Sequence, residues 1–325
     1  MVHKSSILKI FTFVAFLACA FSANSATQAL RGDVNNDSNV TINDVTVLID
    51  YLLIGNDSMI NLANADCDQN GEVSISDVSA LIDYLLIDKW PDEPEIQTFT
   101  VNGVSFQMVA VDGGTFMMGA SDDAAEAYDN EKPAHKVTLS SYSIGKTEVT
   151  QALWIAVMGN NPSNFPDDTS CPVEMVSWND CQTFINTLNQ MTGKSFRLPT
   201  EAEWEFAARG GNKSHGYTYA GSNNINEVAW FYSTVSCTHT FPVASKAPNE
   251  LGLYDMSGNV SEWCQDYYGN YSATEQTNPT GPVSGSYRVY RGGGWSGTTT
   301  ACRVTFRSYG NQANKYYYNG LRLVL

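Results

Sequence analysis

The chain has 325 residues, and 43% of them are hydrophobic, which is enough to build a substantial core and excludes an intrinsically disordered chain. The net charge of −16 is concentrated near the N-terminus: residues 27–98 contain 14 acidic and 2 basic side chains, against 20 and 14 from Phe99 onward. This acidity argues against nucleic acid or an anionic membrane as a partner and suits cation binding by the N-terminal part.

The first 26 residues have the pattern of an export signal. Lys4 supplies a positive start, the apolar run IFTFVAFLACA is too short to span a bilayer, and small residues follow it. We therefore predict a signal peptide over residues 1–26, cleaved after Ser22 or after Ala26, and a secreted or cell-surface protein in which disulfides are permitted. Cys19 leaves a lipoprotein as the weaker alternative. No later apolar run is long enough for a transmembrane helix.

Residues 31–88 contain two segments that repeat at a spacing of 33 residues, each with the pattern of a calcium loop. Positions 1, 3, 5 and 12 of each loop carry oxygen-bearing side chains, and position 7 would add a backbone carbonyl. A 12-residue loop of this kind can supply the six to eight hard oxygen ligands that calcium prefers. The predicted ligands are Asp33, Asn35, Asp37, Asn39 and Asp44 in the first loop, and Asp66, Asp68, Asn70, Glu72 and Asp77 in the second.

An amphipathic helix is predicted after each loop. Apolar residues recur at i, i+3, i+4 and i+7, and the two resulting stripes can be buried only against each other. In the first loop Ser38 stands at position 6, where glycine is expected, so we expect a left-handed backbone there at a cost of about 1 kcal/mol. The stripe residues are Val45, Leu48, Ile49 and Leu52, then Val78, Leu81, Ile82 and Leu85.

The duplicated loop-and-helix unit, with aspartate at position 12, resembles the type I dockerin family. The resemblance implies a small all-α module that binds two calcium ions and docks to a cohesin-like protein. Recognition in that family usually runs through loop positions 10 and 11. These are Ile42-Asn43 and Ile75-Ser76 here, not the small hydroxylated pair of many cellulosome dockerins. The resemblance therefore does not establish a cellulosome.

Residues 89–98 are polar, acidic and interrupted by proline, and we predict a linker there, followed by a second domain over residues 99–325. Three helices are predicted in this domain, with short strands and ordered loops elsewhere. Glu201, Glu203 and Glu205 in the third helix are expected to cap it and to carry surface charge. The helices follow Thr150, Ser177 and Thr200, and they end at Gly159, Gly193 and Gly210-Gly211; Thr200 and Glu203 form a capping box.

Six phrases of the second domain, taken in order, resemble the sulfatase-modifying-factor family, whose founding member is the formylglycine-generating enzyme. The resemblance covers essentially the whole domain. It implies a loop-rich α+β fold related to C-type lectins, so the whole chain is predicted to be α+β. The phrases are VDGGTFMMG (Val111 to Gly119), KTEVTQALW (Lys146 to Trp154), RLPTEAEWEFAARGG (Arg197 to Gly211), NELGLYDMSGNVSEW (Asn249 to Trp263), RVYRGGGW (Arg288 to Trp295) and NGLRLV (Asn319 to Val324).

The same resemblance implies one calcium ion in the second domain. Its ligands would be Asp255, Gly258, Val260 and Glu262, which offer two carboxylates and two backbone carbonyls within one tight turn. The alternative is that Asp255 and Glu262 only cap and pair within a glycine turn. The family's other calcium site has no counterpart here.

The enzyme of that family oxidises a substrate cysteine with copper held by two cysteines, and monovalent copper prefers a pair of thiolates. Here Gly297 takes the first copper position and Cys302 the second, so one thiolate is missing. Gly294, Ser261 and Ala301 take the positions of an active-site serine, tryptophan and tyrosine. We therefore predict that copper is not bound and that no residue is catalytic. Cys302 would be catalytic only if the chain were an oxidase.

Other catalytic patterns are absent from the sequence. His135, His215 and His239 are scattered without the spacing of a zinc site, and there is no GxSxG nucleophile elbow. His135 precedes an apparent strand, Lys136 to Leu139, and is expected to be structural.

The seven cysteines of an exported chain allow disulfides, although the sequence does not fix their connectivity. We expect Cys264 to pair with Cys302, which would make Cys302 structural. Cys171 and Cys237 both precede Pro-Val segments and are candidates for a second bridge. Cys181, on a predicted helix, is expected to be a buried thiol.

Two functions of different classes follow. The preferred one is a non-catalytic binding or scaffolding domain, for an unidentified glycan or protein ligand, that the dockerin-like module delivers to an extracellular, polysaccharide-related assembly. The alternative is a divergent formylglycine-generating oxidase that activates sulfatases. The missing thiolate at Gly297 favours the first.

Overall fold

The computed structural model describes residues 30–55, 58–69, 71–87, 90, 94–232 and 238–325. The chain separates into two compact units, divided between Glu93 and Pro94. The predicted signal peptide with Cys19 lies outside the described residues, as do Asn70 and Cys237. Within the described ranges no helix is both long and apolar enough to cross a membrane.

The smaller unit is built from helices. Helix α1 (Ile42–Ile54) begins at the capping residue Thr41 and ends at Gly55, whose backbone is left-handed. Helix α2 (Leu62–Ala65) is a single turn, and α3 (Ile75–Ile87) repeats the sequence pattern of α1. The two helices predicted after the loops are therefore confirmed.

The apolar stripes of α1 and α3 form the core of the smaller unit. Val45, Leu48, Val78 and Leu81 are at most 5% exposed, and burial of each such side chain stabilises the fold by roughly 1.5–3 kcal/mol. Ile82, also placed in the stripe by its spacing, is 39% exposed. Two packed helices cover only the centre of each stripe, so a residue on its flank stays in contact with water.

Trp90, which the sequence places in the linker, belongs to this core. It is 7% exposed and stacks on Tyr84 with the ring centroids 4.3 Å apart. The Arg31 guanidinium lies 4.2 Å from the Trp90 ring centroid. Gly32 has φ +86°, and a Cβ there would approach the Trp90 ring to 2.6 Å, so only glycine fits. The smaller unit thus extends beyond its last helix.

Within the described residues the larger unit contains three small sheets. In the first, β1 (Ile96–Val101), β2 (Val104–Val111) and β5 (Tyr142–Gly145) are antiparallel in the order β1-β2-β5. In the second, β3 (Gly114–Met118) is antiparallel to β4 (His135–Leu139), which is parallel to β7 (Gln276–Thr277). The third has the order β10-β6-β8-β9, with β6 (Ser261–Tyr267), β8 (Arg288–Arg291), β9 (Arg307–Gly310) and β10 (Asn319–Gly320).

The three predicted helices of the larger unit are confirmed as α4 (Gln151–Met158), α5 (Trp178–Thr192) and α6 (Glu201–Ala208). A short helix that the sequence did not indicate, α7 (Ile225–Val228), follows them. Hydroxyl side chains cap the three predicted helices because they accept hydrogen bonds from amides that the first turn leaves unpaired. The caps are Thr150, Ser177 and Thr200, and α4 and α5 end at left-handed Gly159 and Gly193.

Helix α6 is buried on every side, so the expectation that its glutamates carry surface charge is wrong. Glu201, Glu203 and Glu205 are 4%, 8% and 0% exposed. Arg307 binds both oxygens of Glu201, at 2.7 and 2.6 Å, and Arg291 pairs with Glu205. Carboxylates tolerate such burial only when they are paired. Glu203 pairs with nearby Arg197, and Glu205 also pairs with Arg209 on the next turn. The partners from β8 and β9, Arg291 and Arg307, are far away in sequence, and no local pattern indicates them.

A second fully buried ion pair joins Glu262 on β6 to Arg322. Arg322 Nη2 lies 2.7 Å from Glu262 Oε1, and its Nε lies 3.0 Å from both carboxylate oxygens. Trp204 on α6 donates to Glu262 Oε2 at 2.6 Å. The other guanidinium hydrogens reach the carbonyls of Gly145 and Tyr254. One charge pair thereby connects β6, α6, β5 and the C-terminal segment.

We predict that Arg322→Met lowers the free energy of unfolding by about 3–5 kcal/mol, because it leaves Glu262 buried without its cation. Lys136→Met is the matched control. Lys136 pairs with Glu275 at 2.9 Å, but both side chains are more than half exposed, so its loss should cost at most about 1 kcal/mol. Urea denaturation of the full chain at a fixed calcium concentration measures both variants. Equal losses would contradict the prediction.

Candidate functional site

The first predicted calcium loop is closed by its two terminal carboxylates. Asp33 Oδ1 and Oδ2 accept from the amides of Asp37 and Ser38, both at 2.9 Å. Asp44 Oδ1 accepts from the Asn35 amide at 3.0 Å. Asp33 and Asp44 are 3% and 0% exposed. The φ of Ser38 is +71°, the left-handed conformation expected at a position where glycine is usual.

The second loop gathers three carboxylates around one point. Ligand oxygens of Asp66, Asp68 and Asp77 all lie within 4.8 Å of one another, the one cluster of three acidic, histidine or cysteine side chains of this kind in the described part of the chain. Asp77 Oδ1 accepts from the Asp68 amide at 3.0 Å and Oδ2 from the Ser74 amide at 2.7 Å. Carboxylates this close repel one another, and a divalent cation would remove that repulsion.

Asp255 and Glu262 are both buried, Asp255 in the turn before β6 and Glu262 on β6, but their surroundings differ. Both oxygens of Glu262 are already bound by Arg322 and Trp204. Asp255 Oδ2 accepts from the Ala244 amide at 2.7 Å, whereas its Oδ1 is buried without a hydrogen-bond partner. Burial raises the pKa of Asp255 to about 6. A bound cation would satisfy this orphaned oxygen.

Glu148 adds a third buried carboxylate, which the sequence motifs did not single out. It accepts from the Val260 amide at 2.9 Å and from Asn259 Nδ2 at 2.8 Å. Burial, followed by the charges of Asp255 and Glu262, raises the pKa of Glu148 well above its usual range. Three carboxylates therefore face a single cation, Arg322. This excess of negative charge fits a hard divalent cation at the turn.

The two copper positions of the resembled enzyme do not form a thiolate pair here. Cys302 is 0% exposed and packs against the apolar side chains of Ile225 and Phe231. Burial raises the pKa of Cys302 to about 12, so it is a neutral thiol at physiological pH. Gly297 supplies no ligand, and a Cβ built there would lie 3.1 Å from the Gly294 carbonyl oxygen. The donor set does not fit monovalent copper.

Aromatic side chains lie around Gly297 and form what we call the aromatic surface (Phe165, Tyr232, Trp295 and Tyr317). The Trp295 ring centroid is 5.3 Å from that of Phe165 and 5.6 Å from that of Tyr317. The Tyr232 amide donates to the Gly297 carbonyl at 2.8 Å. Tyr232 and Tyr317 are 57% and 47% exposed. Exposed aromatic groups of this kind are enriched at binding surfaces.

The predicted disulfide between Cys264 and Cys302 is wrong, since both are free thiols. Cys264 is buried in the cluster around Trp204, and its Sγ donates to the Glu262 carbonyl at 3.9 Å. Cys302 belongs to a different apolar cluster, with Phe231. Cys264 and Cys302, which were expected to pair, therefore lie in different apolar clusters.

The remaining large-domain cysteines are also thiols where they are described. Cys181 is 0% exposed, as predicted for a buried thiol. Cys171 is free and donates to the Thr240 carbonyl at 3.7 Å. Its expected partner, Cys237, lies outside the described residues.

We predict that Cys264 and Cys302 are alkylated by iodoacetamide in denaturant without prior reduction but are protected in the folded chain. The raised pKa leaves little Cys302 thiolate at about pH 8, whereas an unfolded cysteine, with a pKa of about 8.5, reacts readily. Peptide mass spectrometry measures both states. Thr298→Cys, at an exposed position, is the control that should react in the folded protein. A peptide pair linked through Cys264 and Cys302 would contradict the prediction.

Comparison with known proteins assigns both units to described families. Residues 93–325 match the sulfatase-modifying factor enzyme 1-like domain, and residues 31–86 match the dockerin type I domain. Chaperone protein LppX of Paenibacillus barcinonensis is 34% identical over 252 residues, 62% of this chain and 83% of that protein. The formylglycine-generating enzyme of Thermomonospora curvata is 31% identical over 284 residues, 66% of this chain and 92% of that protein. Two further relatives are longer proteins, and their match to this chain covers 35% of the length of each.

Among solved structures, Treponema denticola variable protein 1 superposes with a TM-score of 0.65 and 33% sequence identity, over 71% of this chain and 99% of that one.

Proposed function

We propose that the larger unit of this chain is a non-catalytic binding domain. The chain belongs to the sulfatase-modifying-factor family and carries a type I dockerin module before that domain. Both families are those that the sequence motifs resemble, so the predicted order of modules is confirmed. The observation that carries the proposal is the missing copper pair: Gly297 has no side chain, and Cys302 is a buried neutral thiol.

The surroundings of Gly297 support binding rather than oxidation. The aromatic surface offers exposed rings where the resembled enzyme has its reaction pocket. Ser261 and Gly294 are buried, and neither has the side chain of the enzyme position it occupies. The relative named as a chaperone, LppX, fits a domain of this family that binds without oxidising, whereas the relatives named as formylglycine-generating enzymes fit the oxidase alternative.

The dockerin module supplies the attachment. Dockerin domains bind cohesins, and the residues at loop position 10, Ile42 and Ile75, are 66% and 72% exposed and available to a partner. We propose that the chain is exported and that this module docks it to a cohesin-like protein in an extracellular, polysaccharide-related assembly.

Calcium is supported in the dockerin module by its family. We propose one ion in each loop, held by the predicted oxygen ligands, and one further ion in the larger unit at Asp255, Gly258, Val260 and Glu262. The orphaned Asp255 oxygen and the charge excess with Glu148 support the last of these. The role of such ions is structural, because they neutralise carboxylates that would otherwise repel one another in the folded state.

We predict that Asp77→Ala removes one calcium site from the full chain, because Asp77 closes the second loop with both of its oxygens. Asp83→Ala is the matched control, an exposed acid on the same helix, and should leave the number of sites unchanged. Asp255→Ala should remove a different site without affecting that of Asp77. Calorimetric titration after chelation counts the sites. An unaltered count for Asp77→Ala would contradict the assignment.

We predict no formylglycine when the chain is mixed with a sulfatase peptide, copper and oxygen. Gly297→Cys should bind monovalent copper more tightly, since it restores one thiolate. It should still turn over poorly, because Gly294, Ser261 and Ala301 lack the side chains that the enzyme has at these positions. Ser296→Cys, with its thiol one position away, is the matched control. Peptide mass spectrometry detects the product. Turnover by the unaltered chain that is lost in Cys302→Ser would establish the oxidase instead.

A further inference from the structure

A cleft of about 530 Å³ opens on the larger unit at a place that neither the metal turn nor the aromatic surface includes. It lies beside the parallel pair β4–β7 and is bounded by the segment 266–282, by the start of α6 and by Arg307. Its lining contains none of Ser261, Gly294, Gly297 or Cys302. The volume falls within the range of about 300–1,000 Å³ that small-molecule sites occupy.

The charged groups on the floor of this cleft are already paired with each other. Arg307 binds both oxygens of Glu201, and its Nη1 donates to the Gly269 carbonyl at 2.8 Å. Glu201 Oε1 also accepts from the Tyr271 hydroxyl at 3.1 Å and from Arg291 at 3.3 Å. Neither Glu201 nor Arg307 therefore has its charge free for an ionic ligand.

Asp266, the remaining acid of the lining, is also held by the protein. Its Oδ2 accepts from the Glu201 amide at the start of α6, at 2.9 Å. It is 4% exposed, and burial, together with the neighbouring charge of Glu201, raises the pKa of Asp266 to about 8. Near neutral pH the carboxyl is therefore largely protonated. The floor as a whole presents hydrogen-bonding groups with little net charge.

The rim consists of uncharged polar side chains. Asn270 and Thr277 are exposed, and Gln276 is half-buried on β7, whose backbone is fixed by pairing with Val137 on β4. Tyr271 packs against His135 on the floor with ring centroids 4.9 Å apart, so its ring is held in place. The cleft thus offers side-chain amides and hydroxyls, which both donate and accept hydrogen bonds.

We propose that this cleft binds a neutral sugar of one or two rings. Sugar hydroxyls, like the rim amides, both donate and accept hydrogen bonds, so the two sets of groups can pair in either direction. A charged sugar of either sign would lose hydration in the cleft without meeting an unpaired group of opposite charge. This proposal specifies a ligand class for the non-catalytic binding role proposed above, and it depends on that role.

The test is an NMR titration of the ¹⁵N-labelled full chain with calcium, using cellobiose, xylobiose and lactose as neutral probes. We expect millimolar binding, with amide shifts concentrated in residues 269–282. Asn270→Ala and Gln276→Ala should each raise the Kd about fivefold, the effect of one neutral hydrogen bond. Gln97→Ala, an exposed glutamine on β1, is the matched control and should leave the Kd unchanged.

Glucuronic acid, glucosamine and tetraglycine complete the set of probes, and each should bind more weakly than the neutral disaccharides. The proposal is overturned if no neutral probe shifts residues 269–282 at millimolar concentration, if both rim variants keep the Kd of the unaltered chain, or if a charged sugar or the peptide binds more tightly there. Formylglycine formation is assayed separately. Formylglycine formation would therefore contradict the proposed non-catalytic function, whereas a failure to bind sugars would contradict only the proposal for the cleft.

Discussion

The larger unit depends on buried carboxylates that are neutralised by arginines from distant parts of the chain. Glu201, Glu205 and Glu262 are at most 5% exposed as side chains, and each meets a buried guanidinium from the C-terminal third of the sequence. In a loop-rich fold with short strands, these charge pairs connect elements that few ladder hydrogen bonds join. Removing one partner leaves an uncompensated charge in a low-dielectric interior, which costs far more than the pair itself contributes.

The same requirement for charge compensation explains where metal ions fit. In the dockerin loops, backbone amides draw the carboxylates together, and in the second loop ligand oxygens of Asp66, Asp68 and Asp77 lie within 4.8 Å of one another. At the turn of the larger unit, Arg322 compensates Glu262, while Glu148 and Asp255 remain in excess. Buried carboxylates are thus compensated by arginine where a bidentate ion pair can form. Where no such pair forms, their oxygens are suited to bind a hard cation.

Replacement of one copper position by glycine changes the chemistry of the remaining cysteine. With no second thiolate at Gly297, Cys302 packs as a small apolar side chain, and burial holds it in the neutral form. Contacts that do not involve a copper pair hold the backbone around it: the Ser257 hydroxyl donates to the Cys302 carbonyl at 2.8 Å. Because function depends on the site and not on the fold, the same family scaffold can carry a site without the copper pair.

The sequence by itself determined the features that depend on local rules: the duplicated loops, the left-handed Ser38, the capped ends of α4, α5 and α6, and the two family resemblances. Each follows from spacing or from hydrogen bonding within a few residues. Only the tertiary structure decided the burial of the α6 glutamates, the place of Glu148 beside Asp255, the inclusion of Trp90 in the smaller core and the separation of Cys264 from Cys302. These outcomes depend on which distant segment supplies the neighbour: Arg307 lies more than a hundred positions from Glu201, and no local pattern records that contact.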